Sequence, residues 1–441
     1  MRLDQFKGLR IAVLGYGREG GAAVTVLRAH GFAPVVWAES GNVPDGVPSR
    51  SGPFDAGLMD FDVLVRSPGV PVLHPALQRF RASGRLIVNP TSIWLAERPD
   101  VRVVAVTGSK GKSTTTSLLA HALRGAGRRV ALAGNIGVPA LEHLETDAEI
   151  AVLELSSYQL ADLEGRLDLG LMTRLFPEHG DWHGGVAHYV ASKLRMSDLL
   201  GGKELLINAC DPVLLEATEN VPARVLVNRP PLTCREGHTL VRDGERLMDS
   251  SQWPLQGQHN LDNAALVVEA ALRLGVDVQT AVAALRSFQP LPHRLEVVAR
   301  DGARQWINDS IATTPHATLA ALQALQGSSV VLIAGGYIRP AEWSVVVRYC
   351  RTYPLAGLVL MPDSGQHIAE AFGGDGKASV GCICHVANMT EAVEVAANLA
   401  ADQAHVLLSP GAASFPQYRD FEDRGEQFRR SVAAYRERST A

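Results

Sequence analysis

VRVVAV (101–106) running into Thr107-Gly108-Ser109-Lys110-Gly111-Lys112-Ser113-Thr114 is the stretch that orders the rest of the chain. A short β-branched run ends in a glycine-rich turn, and the Thr/Ala/Leu-rich segment from Thr115 has helical composition, so the pattern predicts strand, loop and helix in succession. Amides of such a loop can wrap the phosphates of ATP. Lys112 would then reach the outer phosphate oxygens, and the Ser113 hydroxyl would hold Mg²⁺. The loop is not a strict Walker A sequence, because the first glycine of that pattern would fall on Val106. Its place directly behind a strand favours a phosphate loop over a solvated turn.

Outward from this loop, short β-branched runs alternate with Ala/Leu-rich helical stretches: RIAVLGYG then GGAAVTVLRAHG, SVVLIAGG, and HVLLSPG. That alternation predicts an α/β chain of βαβ units with mostly parallel sheets. The 441 residues suggest roughly three domains at about 150 residues each. Breaks at Glu97-Arg98-Pro99-Asp100 and Gln289-Pro290-Leu291-Pro292 place them at 1–97, 98–290 and 291–441. Lys plus Arg number 42 against 46 Asp plus Glu, a net charge of −4. No overall basic field exists to hold nucleic acid or anionic lipid, so a charged substrate must be met locally. No apolar run approaches the ~18–20 residues of a membrane span, and the N-terminus lacks a signal-peptide pattern. Cys210, Cys234, Cys350, Cys382 and Cys384 form no CxxC pair. Their odd number argues against a disulfide framework, and a cytoplasmic protein is expected. Cys382 and Cys384 read as two residues on one strand face.

A second glycine loop, Gly15-Tyr16-Gly17-Arg18-Glu19-Gly20, follows the strand Arg10–Leu14, and Glu39 ends the next strand. Read alone it fits a dinucleotide fingerprint, a site for another diphosphate nucleotide such as a uridine one, or a tight structural turn. Only about 97 residues precede the first boundary, too few for the usual two-half dinucleotide fold.

Behind the phosphate loop stand Asn135-Ile136-Gly137, LELSSYQL (153–160), Glu178-His179-Gly180-Asp181-Trp182-His183, Ser192-Lys193-Leu194-Arg195, GQHNLDN (257–263), LPHRLE (291–296), Asn308-Asp309-Ser310 and LSPGAAS (408–414). In this order, with the shortened loop, they resemble the Mur ligase family, the ATP-dependent enzymes that build the peptide stem of peptidoglycan. The final SPGAASFPQYRDFEDRGEQF is especially similar to the glutamate-adding branch. The resemblance implies a Rossmann-like UDP-binding domain, a central P-loop ATPase-like domain with a parallel sheet, and a C-terminal Rossmann-like, glutamate-binding domain. It implies a cytoplasmic, monomeric peptide synthase of cell wall biogenesis, with ATP and two Mg²⁺ ions as cofactors. The substrates it implies are UDP-N-acetylmuramoyl-L-alanine and glutamate, joined through an acyl phosphate.

The resemblance also distributes roles. Gly108, Ser109, Lys110, Gly111, Lys112, Ser113 and Thr114 would bind the ATP phosphates, and Asn260 with Asn263 the adenine. Arg294 would reach the phosphates and Asp309 the ribose once the third domain closes, which makes the expected site an interdomain cleft. Ser113, Glu154, His179 and a carbamylated Lys193 would hold the metals, and Lys112, His179, Lys193 and Arg294 are the catalytic candidates. Gly15, Tyr16, Gly17, Arg18, Ser67, Pro68 and Gly69 would wall the UDP pocket, with Asn135, Ser156 and Gln159 near the reacting end.

For the amino acid, Thr313, Ser414 and Phe421 match the D-glutamate-adding branch, but its two lysines are replaced by Ile311 and Arg339. Inverting the α-carbon with the amine held in line exchanges the directions of the two carboxylates, so cations suited to one enantiomer misfit the other. Arg339 can grip a carboxylate bidentately. The pattern resembles the L-glutamate-adding variant; D-glutamate ligation, a folylpolyglutamate-type ligase and a non-catalytic nucleotide-binding regulator stand as alternatives.

Overall fold

The computed structural model describes residues 1–39, 43–136, 138–176, 180–253, 255, 257–289, 292–337, 343–373, 379–401 and 404–440. His179, Arg339, Gly137 and the boundary residues 290 and 291 lie outside the described residues. The chain divides into two compact units, Met1–Phe288 and Gln289–Ala441.

The first unit holds two parallel sheets. One has five strands in the order Ser49–Ser51, Val35–Ala38, Ile11–Leu14, Val63–Arg66, Leu86–Val88. Ile11–Leu14 is central, and the chain leaves it for Val35–Ala38 on one side and Val63–Arg66 on the other. The other sheet has six strands in the order Arg224–Val227, Leu205–Asn208, Leu169–Met172, Arg102–Thr107, Ile150–Glu154, Val130–Gly134. Its central strand registers Val106 against both Glu154 and Leu171. Val103 to Val106 are all buried, because helices cover both faces of a parallel sheet and leave no polar side to alternate with. In both sheets strand order reverses at the middle, which opens a crevice at the C-terminal strand ends, where such folds take ligands.

A three-stranded antiparallel sheet, Cys234–Glu236, Thr239–Arg242 and Glu245–Asp249, has no counterpart in the strand–helix alternation of the sequence. The second unit carries a six-stranded sheet in the order Glu296–Asp301, Arg304–Asn308, His405–Leu408, Val330–Ala334, Gly357–Leu360, Ile383–His385. Its first pair is antiparallel and the rest parallel. Cys382 and Cys384 flank one residue there with sulfurs 3.6 Å apart. No helix among the described residues is long and apolar enough to cross a membrane.

Candidate active site

The phosphate loop leaves the central strand at Thr107. Its helix begins at Lys112 and runs to Gly125, one turn earlier than the Thr115 start that composition suggests. Gly111 supplies the reason: it caps the helix with φ 88°, a left-handed conformation open to glycine, and so brings Lys112 and Ser113 into the first turn. A Cβ on Gly111 would come within 3.0 Å of the Asn263 amide, and one on Gly108 would overlap Thr173 Oγ1. The loop is therefore pressed against two walls, with only hydrogen-sized gaps. Thr173 Oγ1 donates to Lys110 O (2.6 Å), and Ser109 N donates to Arg174 O (2.6 Å). Ser109 Oγ is bonded to Tyr189 OH at 2.6 Å and accepts from Phe176 N at 2.8 Å. Lys112 Nζ donates back to Ser109 O (3.0 Å), curling over the loop whose amides would take an anion.

Lys193 lies on the helix Val186–Leu200 and is buried. Its Nζ donates to Gly108 O at 2.8 Å and sits 4.9 Å from the Tyr189 ring centroid, so the amine points at the phosphate loop. Glu154 is the last residue of its strand and is buried. Asn135 Nδ2 donates to its Oε1 at 2.7 Å, while Oε2 has no hydrogen-bond partner among the described residues. An acceptor oxygen orphaned behind a phosphate loop fits a hard divalent cation that prefers one carboxylate plus phosphate oxygens. Among the described residues no three His, Cys, Asp or Glu gather as a metal cluster by themselves. Asn260 and Asn263, both buried, open the helix Gln258–Arg273 beside the loop. His259, directly before Asn260, is held below its ordinary pKa by burial and by Arg174.

A cavity of about 660 Å³ adjoins these residues. Gly15, Tyr16, Gly17, Arg18, Ser67, Pro68, Gly69, Asn135, Ser156 and Gln159, the UDP and reacting-end residues expected in this unit, all line it. Gly15 (φ 78°) directly follows one strand and Ser67 its neighbour, and Ser67 Oγ donates to Gly15 O at 2.8 Å. A Cβ on Gly20 would overlap both, whereas one on Gly17 meets nothing within 4 Å. The third glycine thus serves packing and the second leaves its backbone open to a ligand. Ser156 and Gln159 form a capping box on the short helix Ser157–Leu160, which fixes the Gln159 amide so that Nε2 donates to Glu19 Oε1 at 2.8 Å.

Several residues of this site escape sequence reading. Arg66 ends its strand with no exposed surface; its guanidinium meets both oxygens of Asp162 at 2.6 Å. The same group donates to the carbonyls of Ser67, Pro68, Val70 and Tyr158, and so ties the Ser67-Pro68-Gly69 wall to the opposite wall. The only sequence signal is an arginine closing an otherwise apolar strand just before Ser-Pro-Gly. Trp182 Nε1 donates to Gly69 O at 3.1 Å, bracing that loop from outside. Buried His183 lies 3.0 Å from Ser157 Oγ.

In the second unit, Arg294 stands between His293 (φ 61°) and Leu295 (φ 45°), two non-glycine residues in the left-handed region. Asp309 holds this turn, accepting from Leu295 N (3.2 Å) and Ser409 Oγ (2.8 Å). Thr313 is exposed, Ser414 is buried, and Phe421 packs edge-on against His293 at 6.3 Å. Arg424 is fully buried and donates to Ser310 Oγ (3.0 Å), Ser310 O (2.8 Å) and Ala412 O (3.0 Å), joining the Asn308-Asp309-Ser310 loop to the 408–414 loop. Burial lowers it to about 10, so it keeps its charge at neutral pH.

Residues 106–271 match the Mur ligase middle domain, and residues 293–412 match the Mur ligase, glutamate ligase domain. The chain belongs to the Mur ligase family. A UDP-N-acetylmuramoyl-L-alanine--L-glutamate ligase of Xylella fastidiosa is 37% identical over 450 residues, covering 97% of this chain and 96% of that protein. One of a Micromonospora species is 36% identical, covering 98% of each. Among solved structures, UDP-N-acetylmuramate-alanine ligase MurC of Thermotoga maritima superposes with a TM-score of 0.61 at 18% identity, over 97% of this chain and 99% of that one. MurF ligase of Thermotoga maritima in complex with ADP gives 0.60 at 14% identity, over 97% of each chain. These two likenesses establish the shared fold.

Proposed function

We propose that this chain joins the amine of L-glutamate to the terminal carboxylate of UDP-N-acetylmuramoyl-L-alanine at the expense of ATP, in peptidoglycan precursor synthesis. The observation that carries the reading is the near-full-length similarity to UDP-N-acetylmuramoyl-L-alanine--L-glutamate ligases. It is supported by a cavity that runs from the first glycine loop to Asn135, whose amide holds Glu154.

A carboxylate does not acylate an amine at neutral pH without a better leaving group, so ATP first phosphorylates it. The glutamate amine then attacks the acyl phosphate and inorganic phosphate leaves. The chain's own part is positional and electrostatic. The loop amides and Lys112 cradle the transferring phosphoryl group, and Asn260 with Asn263 seats the base. Gly15 to Arg18 and Ser67 to Gly69 wall the diphosphate, while Asn135, Ser156 and Gln159 orient the reacting end. Mg²⁺, held by Glu154 and Ser113 with His179 and a carbamylated Lys193, would offset charge on the phosphates. Arg294 and Asp309 are assigned to ATP, and Thr313, Arg339, Ser414 and Phe421 to glutamate. Ile311 and Arg339, where the D-glutamate branch carries lysines, favour the L enantiomer.

The test is phosphate release by the purified protein with UDP-N-acetylmuramoyl-L-alanine, ATP and Mg²⁺, offered L- or D-glutamate, with product mass and chirality determined. L-Glutamate should win in kcat/KM; equal or better turnover of D-glutamate refutes the assignment of configuration. Absence of amino-acid-dependent phosphate release refutes the ligase reading.

A further inference from the structure

Glu19 occupies an x position of the G-x-G-x-x-G loop and the first turn of the helix Arg18–Ala29, on the wall of the 660 Å³ cavity. An acid there is unexpected if the cavity takes an anion. The loop amides and helix N-terminus that favour a diphosphate are opposed by a carboxylate charge on the same loop. The hydrogen bonds show how the conflict is resolved. Gln159 Oε1 accepts from Ser156 N (2.9 Å) and Ser156 Oγ (2.9 Å), so its Nε2 is committed to Glu19 Oε1. Glu19 Oε2 is buried and has no partner among the described residues. One oxygen thus has its donor, and the other is placed to carry a proton and donate it.

Resting on the sugar-nucleotide reading above, we propose that Glu19 meets the ligand's diphosphate as a neutral carboxyl, donating its Oε2 proton to a phosphate oxygen. Each binding event at alkaline pH therefore takes up one proton from solvent. The charged and titratable groups around it support this. Glu142 and His143 lie on the turn packed against its helix, and Arg66 and Glu97 on the neighbouring strand and helix; Arg18 and Glu39 share the cavity wall. Arg66 is spent on Asp162, and Glu39 lies 3.8 Å from His74. Burial, assisted by Glu142 and opposed by the Gln159 hydrogen bond, raises the Glu19 carboxyl to about 7. The protonated form is thus accessible near neutrality, and an arriving anion stabilises it further.

The experiment is titration calorimetry of the full-length protein with UDP-N-acetylmuramoyl-L-alanine, a diphosphate diester that does not itself titrate near neutral pH. The wild type should lose affinity roughly twenty-fold between about pH 6.5 and 8.5, as expected for one linked proton. At the alkaline end its binding heat should vary with the ionisation enthalpy of the buffer, reporting close to one proton taken up. Glu19→Gln, which imitates the neutral acid, should bind with less than about threefold change over the same range and no buffer dependence. A wild type with flat affinity and buffer-independent heat overturns the Glu19 proposal while leaving the sugar-nucleotide site intact. Failure to bind at any pH overturns the sugar-nucleotide reading and this proposal with it. The buffer dependence is read on the wild type alone, so a poorly folded variant cannot obscure the answer.

Discussion

Replacing Arg66 by methionine removes a buried side chain that ties two walls of the cavity together. The guanidinium has no exposed surface and Asp162 only 8%, so the pair works in low dielectric, and losing one member leaves the other charge buried. That situation costs about 3–5 kcal/mol. Asn89 Nδ2 still donates to Asp162 at 2.9 Å, which softens the loss, while the Val70 and Tyr158 carbonyls lose strong donors. At roughly 2–3 °C per kcal/mol for a unit of this size, the first unit should melt about 6–15 °C lower. Affinity for UDP-N-acetylmuramoyl-L-alanine should fall at least tenfold, because Ser67, Pro68 and Gly69 lose their tie to the opposite wall. Removing both charges, as Arg66→Met with Asp162→Leu, should restore much of the stability but not the affinity, since no isolated charge remains yet the loop is still untied. Thermal melts followed by circular dichroism, with calorimetric binding on each folded variant, read both effects. A shift under about 2 °C with unchanged affinity for Arg66→Met refutes the argument.

Lys112→Ala should abolish ligation and leave the melting temperature within a few degrees, because the side chain is only partly buried and its bond to Ser109 O lies within the same loop; product within a few-fold of wild type, by phosphate release, contradicts the phosphate-loop assignment. Lys193→Ala should be nearly inactive and partly recovered by a small added carboxylate, and full activity without additive rules out the carbamate. Glu19→Gln should also change the pH dependence of stability. The folded carboxyl is raised from its unfolded value near 4.5 to about 7, so its contribution is complete below about pH 4.5 and is lost as pH rises through about 7. Relative to the variant, wild type should lose up to about 3 kcal/mol across that window, measured by urea unfolding. Arg424→Met should raise KM for glutamate more than KM for ATP if the loops it joins seat the amino acid, and parallel increases in both exclude that selectivity.

What could be read in advance divides by the range of the interactions. The two glycine loops, each directly behind a short apolar strand, rest on local periodicity and turn chemistry, and each lies where residue order indicates. The early start of the Lys112 helix is hidden because Ser113-Thr114 is weak helix composition, and the left-handed Gly111 turns these residues into a first turn. Arg66 and Asp162 are 96 residues apart, and nothing local marks either as half of a buried pair. The 234–249 antiparallel sheet breaks the βαβ rhythm with strands too short to give a period.

Glu19 is the deepest case of this division. Its position in a G-x-G-x-x-G loop makes any residue type acceptable to the turn, so the loop pattern says nothing about it. Its chemistry comes from Gln159, 140 residues away, whose amide is oriented by Ser156. Loop geometry can therefore be legible while the protonation state of a residue inside the same loop is not. Geometry follows from backbone conformation encoded within six residues, and protonation follows from burial and partners that only the assembled cavity supplies. A site built on this plan can keep its glycine turn and change its ligand electrostatics through one permissive position, and the buffer dependence of the binding heat is where that would be seen.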